Sequence, residues 1–392
     1  MTYPVTHILT LALAATLSTA AAGAQALPNQ SVPATTTPTN VARVYVQTAK
    51  GVNVYNTSST GKLTLVLGSP FKNTVGLMIG TAGSHFITVG TTYLHSYAIR
   101  STGGIGAQVA QINSALYPGA ADCGTTHGGT IDRTGTEAYI QLDGTGQCAA
   151  LQTFKINATT GAFTLGGVAE FGGGTYPSTI ESPLLVTGNN GHAYTFTQYY
   201  CDKVFSRFYR DRFGAMNDDD SSTITFPPPD GGEYFPLAMA SDNQNVPTGH
   251  MAVAIHEDFE ACGNSSAPAL ASYTVDYYGN LFYNGAMLKP AINPQGTLLA
   301  VSAATSDPMY TKDGPGLQVF HFNGGKPITG YSNVLTRDPI SSVAWDKNYH
   351  LYATSRATNK LYVFTITPTS ITPVPGSPFT LNGPSTLVVR PL

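Results

Sequence analysis

The sequence predicts an all-β protein, a seven-bladed β-propeller of four-stranded antiparallel blades, and three observations carry that prediction. An apolar-x-x-aromatic segment recurs seven times along the 392 residues. Each copy is preceded by another segment of strand periodicity, most of them entered from a turn rich in Gly, Asn and Asp. The last apolar segment, Thr386–Val389, has no partner in its own unit, whereas the first unit, residues 43–71, lacks its first strand. Closing the C-terminal strand onto the N-terminal blade resolves both and removes free sheet edges.

The repeated segments are Val52-Asn53-Val54-Tyr55, Leu94-His95-Ser96-Tyr97, Leu151-Gln152-Thr153-Phe154, Phe205-Ser206-Arg207-Phe208, Leu270-Ala271-Ser272-Tyr273, Leu317-Gln318-Val319-Phe320 and Leu361-Tyr362-Val363-Phe364. Their aromatic positions lie 42, 57, 54, 65, 47 and 44 residues apart, a blade period rather than that of a helical solenoid. Taken as third strands, they follow second strands at Arg43–Gln47, His85–Val89, Ala138–Leu142, His192–Phe196, Met251–Ile255, Leu298–Ser302 and Leu351–Thr354. Innermost strands are expected at Val75–Ile79, Gly129–Ile131, Leu184–Val186, Leu237–Ala240, Pro290–Ile292, Ser342–Trp345 and Thr386–Val389. Turns such as Gly188-Asn189-Asn190-Gly191 supply the backbone angles a two-strand reversal needs. No segment has the periodicity of a sustained amphipathic helix. Trp345-Asp346 ends an innermost strand, so it reads as a packing residue and a turn Asp, not as the WD40 dipeptide that closes a third strand.

Charged residues make up 10% of the chain and the net charge is −3, which gives no sign of nucleic-acid or membrane-surface binding. An apolar run from Ile8 to Ala22 leads to Ala24-Gln25-Ala26, a small-residue cleavage pattern, although the segment before it has no Lys or Arg. Residues 1–26 are therefore expected to be an export signal, 27–40 a Pro/Thr-rich disordered lead-in, and 41–392 a single propeller domain in a secreted or periplasmic protein. No other stretch is apolar for long enough to cross a bilayer as a helix.

The four cysteines suit an oxidising compartment. In a propeller, the loop entering a first strand and the loop joining strands two and three share one rim, the top. Cys123, Cys148, Cys201 and Cys262 all fall in such loops of blades three, four and five. Of the three possible pairings, the geometry favours 123–148 and 201–262, each worth about 2–4 kcal/mol through restriction of the unfolded chain. No Cys-x-x-Cys or paired-His spacing points to a metal.

The phase of the repeat, the turns Gly61-Lys62-Leu63-Thr64 and Thr160-Gly161-Ala162-Phe163, and the Gly-Ser-Pro-Phe tags at 68–71 and 376–379 resemble the seven-bladed lactonase-type propellers, which include 6-phosphogluconolactonase-like and muconate-cyclising proteins. The resemblance covers residues 41–392 and bears on fold more than on activity. It implies a channel-facing role for His127, since His127-Gly128-Gly129-Thr130 is similar to the His-Gly start of an inner strand in that family. An imidazole there suits a general base toward water attacking a lactone carbonyl. The family's Arg beside the Pro that opens the fourth blade is missing from Tyr176-Pro177-Ser178-Thr179. Without that anion clamp, phosphorylated sugar lactones are poor candidates as substrates.

The other polar residues expected on the top rim are Asp143, Tyr200, Asp202, His256, Glu257, Asp258, Lys312 and Arg356. Glu257 and Arg356 are assigned to assist His127; Asp143, Tyr200, Asp202, His256, Asp258 and Lys312 are assigned to ligand contact. Alternation puts His256 and Asp258 on one side of an extended segment and Glu257 on the other. Asp218-Asp219-Asp220 lacks the spaced ligands of a calcium loop, and Asn157-Ala158-Thr159 is a glycosylation sequon in a blade turn. The expected function is a monomeric module without cofactor that binds a small molecule, glycan or protein on its top face. A lactone-opening hydrolase is the alternative.

Overall fold

The computed structural model describes residues 39–114, 125–132, 134–143, 149–170, 179–186, 192–199, 202–211, 216–218, 233–242, 249–258, 269–276, 280–286, 296–303, 315–322, 324 and 326–392. The segment expected to be an export signal, all four cysteines, Tyr200 and Lys312 lie outside the described residues.

Seven small antiparallel sheets form a seven-bladed propeller, with no helix among the described residues. Blade one consists of Leu387–Pro391, Asn40–Thr48, Gly51–Ser58 and Leu63–Leu65 from the axis outward. Blade two is Leu77–Ala82, His85–Val89, Tyr93–Ile99 and Ile105–Asn113; blade three is Thr125–Ile131, Glu137–Asp143, Ala149–Ile156 and Phe163–Glu170. Blade four is Thr179–Val186, His192–Tyr199, Asp202–Arg210 and Met216–Asp218; blade five is Glu233–Ser241, Gly249–Asp258, Ala269–Val275 and Leu281–Ala286. The described strands of blade six are Leu298–Ala303, Gly316–His321 and Thr329–Gly330, its expected innermost strand at 290–292 lying outside the described residues. Blade seven is Ser342–Trp345, His350–Ser355, Lys360–Thr367 and Ser370–Pro373, with Phe379–Thr380 also paired to its third strand.

The ring closes as the leftover strand requires. Val44 pairs with Val389, Tyr45 with Val388 and Val46 with Leu387. The ladder continues beyond the strand through Gln47 N to Thr386 O and Ser385 N to Gln47 O, both 2.9 Å. Val44 and Val46 are wholly buried and Leu387 nearly so, so this seam is core and not a frayed end.

Period-two alternation gives each strand two apolar faces, one for each neighbouring blade. In blade six, Leu298 and Ala300 pack with Trp345 and Leu351 of blade seven, while Leu299 between them packs with Ala252 and Leu270 of blade five. At the seam, Val44, Val46 and Tyr55 join Tyr352, Leu361 and Val363 in one cluster. A buried cluster of this kind spans each of the seven blade junctions. Burial between blades, more than within any one sheet, holds the ring together.

On the rim opposite the top, a close approach of a polar side chain to a glycine accompanies several of these clusters. A residue in the first part of a second strand reaches the glycine in the third-to-fourth-strand turn of the next blade. A Cβ on Gly161 of blade three would lie 2.6 Å from His85 Cδ2 of blade two. Likewise one on Gly324 would lie 2.8 Å from His250 Cε1, and one on Gly61 would lie 3.0 Å from His350 Cδ2. In blade one the corresponding residue is Arg43, which donates to Ser101 O at 2.5 Å beside Gly103. These turns therefore need glycine for closeness as well as for positive φ.

Candidate functional site

The top rim collects the starts of first strands, the ends of second strands and the starts of third strands. Most of the ionisable residues singled out from the sequence fall at such ends. His127 lies in the innermost strand of blade three, and Asp143 ends the second strand beside it, pairing with Thr125. Asp202 opens the third strand of blade four and pairs with Tyr199. His256, Glu257 and Asp258 end the second strand of blade five, opposite Phe235, Tyr234 and Glu233 of its innermost strand. Their segment is extended to the end of that strand.

The backbone makes His127 distinctive. Thr126 pairs with Leu142 and Gly128 with Gln141, so His127 is the residue the ladder skips. A bulge of this kind inserts an unpaired residue, sharpens the local twist and commonly serves to re-aim a side chain near a functional site. Blade five carries the same irregularity at Leu237, between Pro236 and Ala238. Both positions stand five residues before the aspartate that follows the innermost strand, Asp132 in one blade and Asp242 in the other. The same offset from Asp346 in blade seven gives Ser341, whose N donates to Thr354 O at 2.7 Å. Among these three blades the bulge position carries an ionisable group in blade three.

Arg356 sits in the turn between the second and third strands of blade seven and is exposed. Its backbone N donates to Ser341 Oγ at 3.1 Å, tying that turn to the start of the blade's innermost strand. By topology Arg356 shares the rim with His127 and Glu257 but belongs to a non-adjacent blade. The side chains of His127, Asp143, Asp202, His256, Glu257 and Asp258 lie outside the described part of the structure.

Two features were not anticipated. His95, on the outer flank of blade two, has its pKa lowered by burial, an effect partly opposed by a hydrogen bond with Gln108. Its ring lies 6.2 Å from those of both Tyr93 and Tyr97, so burial between aromatics favours the neutral imidazole. Only its place in an apolar-x-x-aromatic segment marked it, and that marks packing. The second is the role of Asp346, read from sequence as a turn residue. It is fully buried and accepts from Asn348 N, His350 N, His350 Nδ1 and Tyr352 Oη. Among the described residues no cluster of three His, Cys, Asp or Glu is placed to hold a metal ion. Asn157 Oδ1 caps its own turn through Thr159 N and Thr160 N, both at 3.0 Å.

No protein-family model and no curated protein matches this sequence. Solved structures do match. A periplasmic gluconolactonase from Pseudomonas aeruginosa superposes with a TM-score of 0.61 at 11% identity, over 89% of this chain and 99% of that one. A candidate 6-phosphogluconolactonase from Bacteroides fragilis gives 0.59 at 14% identity, over 90% and 98% of the two chains. A protein from Lactobacillus plantarum gives 0.58 at 14% identity, over 90% and 99%. At these identities the likeness is one of fold: the chain has the architecture of lactonase-like propellers.

Proposed function

We propose that this propeller is an exported binding module that holds a small polar ligand on its top rim, in the sector of blades three, four and five. The observation that carries this reading is the gathering of His127, Asp143, Asp202, His256, Glu257 and Asp258 at strand ends of one rim in three consecutive blades. Carboxylates accept and imidazoles donate or accept, so the set suits a ligand rich in hydroxyl groups. Tyr200 and Lys312, expected from the sequence in loops of the same rim, lie outside the described residues. Disulfides 123–148 and 201–262 would stiffen the loops of this sector and lower the ordering cost of binding.

A second reading, opening of a small lactone, is favoured by the bulge at His127 and by the gluconolactonase among the structural neighbours. In that chemistry the imidazole takes a proton from water as the water oxygen bonds to the carbonyl carbon. The ring C–O bond then breaks and the departing oxygen leaves protonated as a hydroxyl. Glu257 would orient the base or the water, and Arg356 would attract the carboxylate product.

The test uses D-gluconolactone within a lactone panel, followed for acid release, together with calorimetric titration of D-gluconate and sorbitol. Binding without turnover, weakened about tenfold or more in His127→Ala, supports the module. Turnover above the spontaneous rate that disappears in His127→Ala transfers the assignment to the hydrolase. Neither binding nor turnover removes this sector as a small-molecule site.

A further inference from the structure

Away from that sector, the seam where the ring closes carries a shallow, largely open groove of about 640 Å³. Asn53 and Tyr55 of blade one's third strand and Leu65 of its fourth form one wall, while Asn359, Leu381 and Asn382 of blade seven form the other. We propose that this groove is a subsite for a neutral, hydroxyl-rich ligand, a sugar unit of an uncharged glycan.

The chemistry of the lining selects that class. Among the described residues no Asp, Glu, Lys, Arg or His lines the groove, so none of them compensates the desolvation of an ionic ligand. A pyranose ring offers apolar C–H faces together with hydroxyls that both donate and accept. Leu65 is 52% exposed, and with Leu381 it supplies apolar surface that solvent would otherwise cover. Each carboxamide has two donors and an acceptor oxygen, the pairing that adjacent sugar hydroxyls require.

The polar groups are also held in place. Asn53 Nδ2 lies 3.4 Å from Tyr55 Oη. Asn359, which lines the groove, accepts through Oδ1 from Gly383 N at 2.8 Å, a bond that restrains the amide. Its backbone sits at φ 58°, a left-handed conformation that Asn tolerates, and its C=O accepts from Leu381 N at 2.8 Å. Asn382 C=O accepts from Ala49 N across the seam at 3.1 Å, while its side chain is exposed. Preorganised donors lose little freedom on binding. Because the walls come from the first and last blades, the site exists only in the closed ring, and a bound glycan would stabilise the closure.

The full chain titrated with cellohexaose, maltohexaose and chitohexaose, followed by amide chemical shifts, tests this directly. At least one should bind and shift the amides of Tyr55, Leu65 and Leu381. The double variant Asn53→Ala/Asn382→Ala should weaken binding roughly fivefold or more, and a folded spectrum establishes that the loss is local. The shifts at Tyr55, Leu65 and Leu381 should persist in His127→Ala, which separates this groove from the rim sector. The proposal fails if none of the three binds, if shifts map elsewhere, if the double variant binds undiminished, or if oligogalacturonate binds as well as the neutral sugars.

Discussion

The Nδ1 of His350 lies 2.7 Å from Oδ2 of Asp346, and both side chains are completely excluded from solvent. The pair sits where the first and second strands of blade seven meet, and His350 also faces Gly61 of blade one across the seam. Asp346 accepts two further backbone N–H bonds and the Tyr352 hydroxyl, whose pKa is driven far above the ordinary phenol range by burial and then by the Asp346 charge. Removing the carboxylate strands these donors without water. Asp346→Ala should therefore lower unfolding free energy by about 3–5 kcal/mol, with Asp346→Asn losing less, as read by urea denaturation. A loss below about 1 kcal/mol for the Ala variant would show that water replaces the carboxylate.

The closing strand predicts a contrast between two leucines. Leu387 is 6% exposed and paired opposite Val46, so Leu387→Ala should cost about 2–5 kcal/mol. Leu65 is 52% exposed on the outer strand of the same blade, and Leu65→Ala should stay within about 0.5 kcal/mol. Equal effects in thermal or chemical unfolding would mean that the C-terminal strand does not close the ring in solution.

The blade pattern was legible because it rests on apolar alternation, a signal each strand carries by itself. The predicted His85–Val89 and Ser342–Trp345 are also the observed strands. Other innermost strands run longer than expected, Glu233–Ser241 against Leu237–Ala240 for example, because bulges such as that at Leu237 break the alternation. The Gly-Ser-Pro-Phe tags hid a wider device. Ser69 and Ser377 accept backbone bonds from Val54 N and Val363 N, and each tag's Phe pairs back onto the third strand. Ser332 does the same for Val319 N at 2.8 Å, with Thr336 in the Phe role, but without the proline or the aromatic. The serine stands 15, 13 and 14 residues after its partner in the three blades, so no fixed spacing reveals it. The rim was harder still. Loop residues follow no period, and His127 was marked only by the Gly-Gly after it. The groove at the seam was invisible, since it joins chain segments roughly 300 residues apart that alternation treats as ordinary strand and turn.

Gly161, in a third-to-fourth-strand turn, should be far less replaceable than Gly330. Gly161 has φ +72°, and a Cβ there would lie 2.5 Å from Ser96 Oγ and 2.6 Å from His85 Cδ2. At Gly330, in the outer strand of blade six, a Cβ meets nothing within 4 Å. Gly161→Ala should thus destabilise by about 1–3 kcal/mol from backbone strain, with the clash adding to it. Gly330→Ala should be neutral or slightly stabilising, because it narrows the unfolded ensemble. Midpoints of chemical denaturation at constant m-value give the comparison.

Asp338 sets an acid limb for stability. Its carboxylate accepts from the Tyr362 hydroxyl, from Lys360 Nζ at 2.9 Å and from Thr358 Oγ1 at 2.8 Å. The Tyr362 bond is the main cause that holds its pKa below the ordinary carboxylate value; burial opposes this, and Lys360 and Thr358 add to the lowering. A group whose folded pKa is depressed stabilises the fold at pH values above its unfolded pKa, here about 4, and loses that contribution as pH falls through the lower folded value. Lys360, whose pKa is raised chiefly by its bond to Asp338, contributes in the opposite sense, with stability kept below the usual lysine range and lost only as pH rises through the folded value. Asp338→Asn should therefore be less stable than wild type near neutrality and converge with it as the solution is acidified below about pH 4. Melting temperatures recorded for both proteins through that acid window decide the matter: parallel curves would mean that Asp338 titrates alike in the folded and unfolded chain, and that its three donors are replaced by solvent.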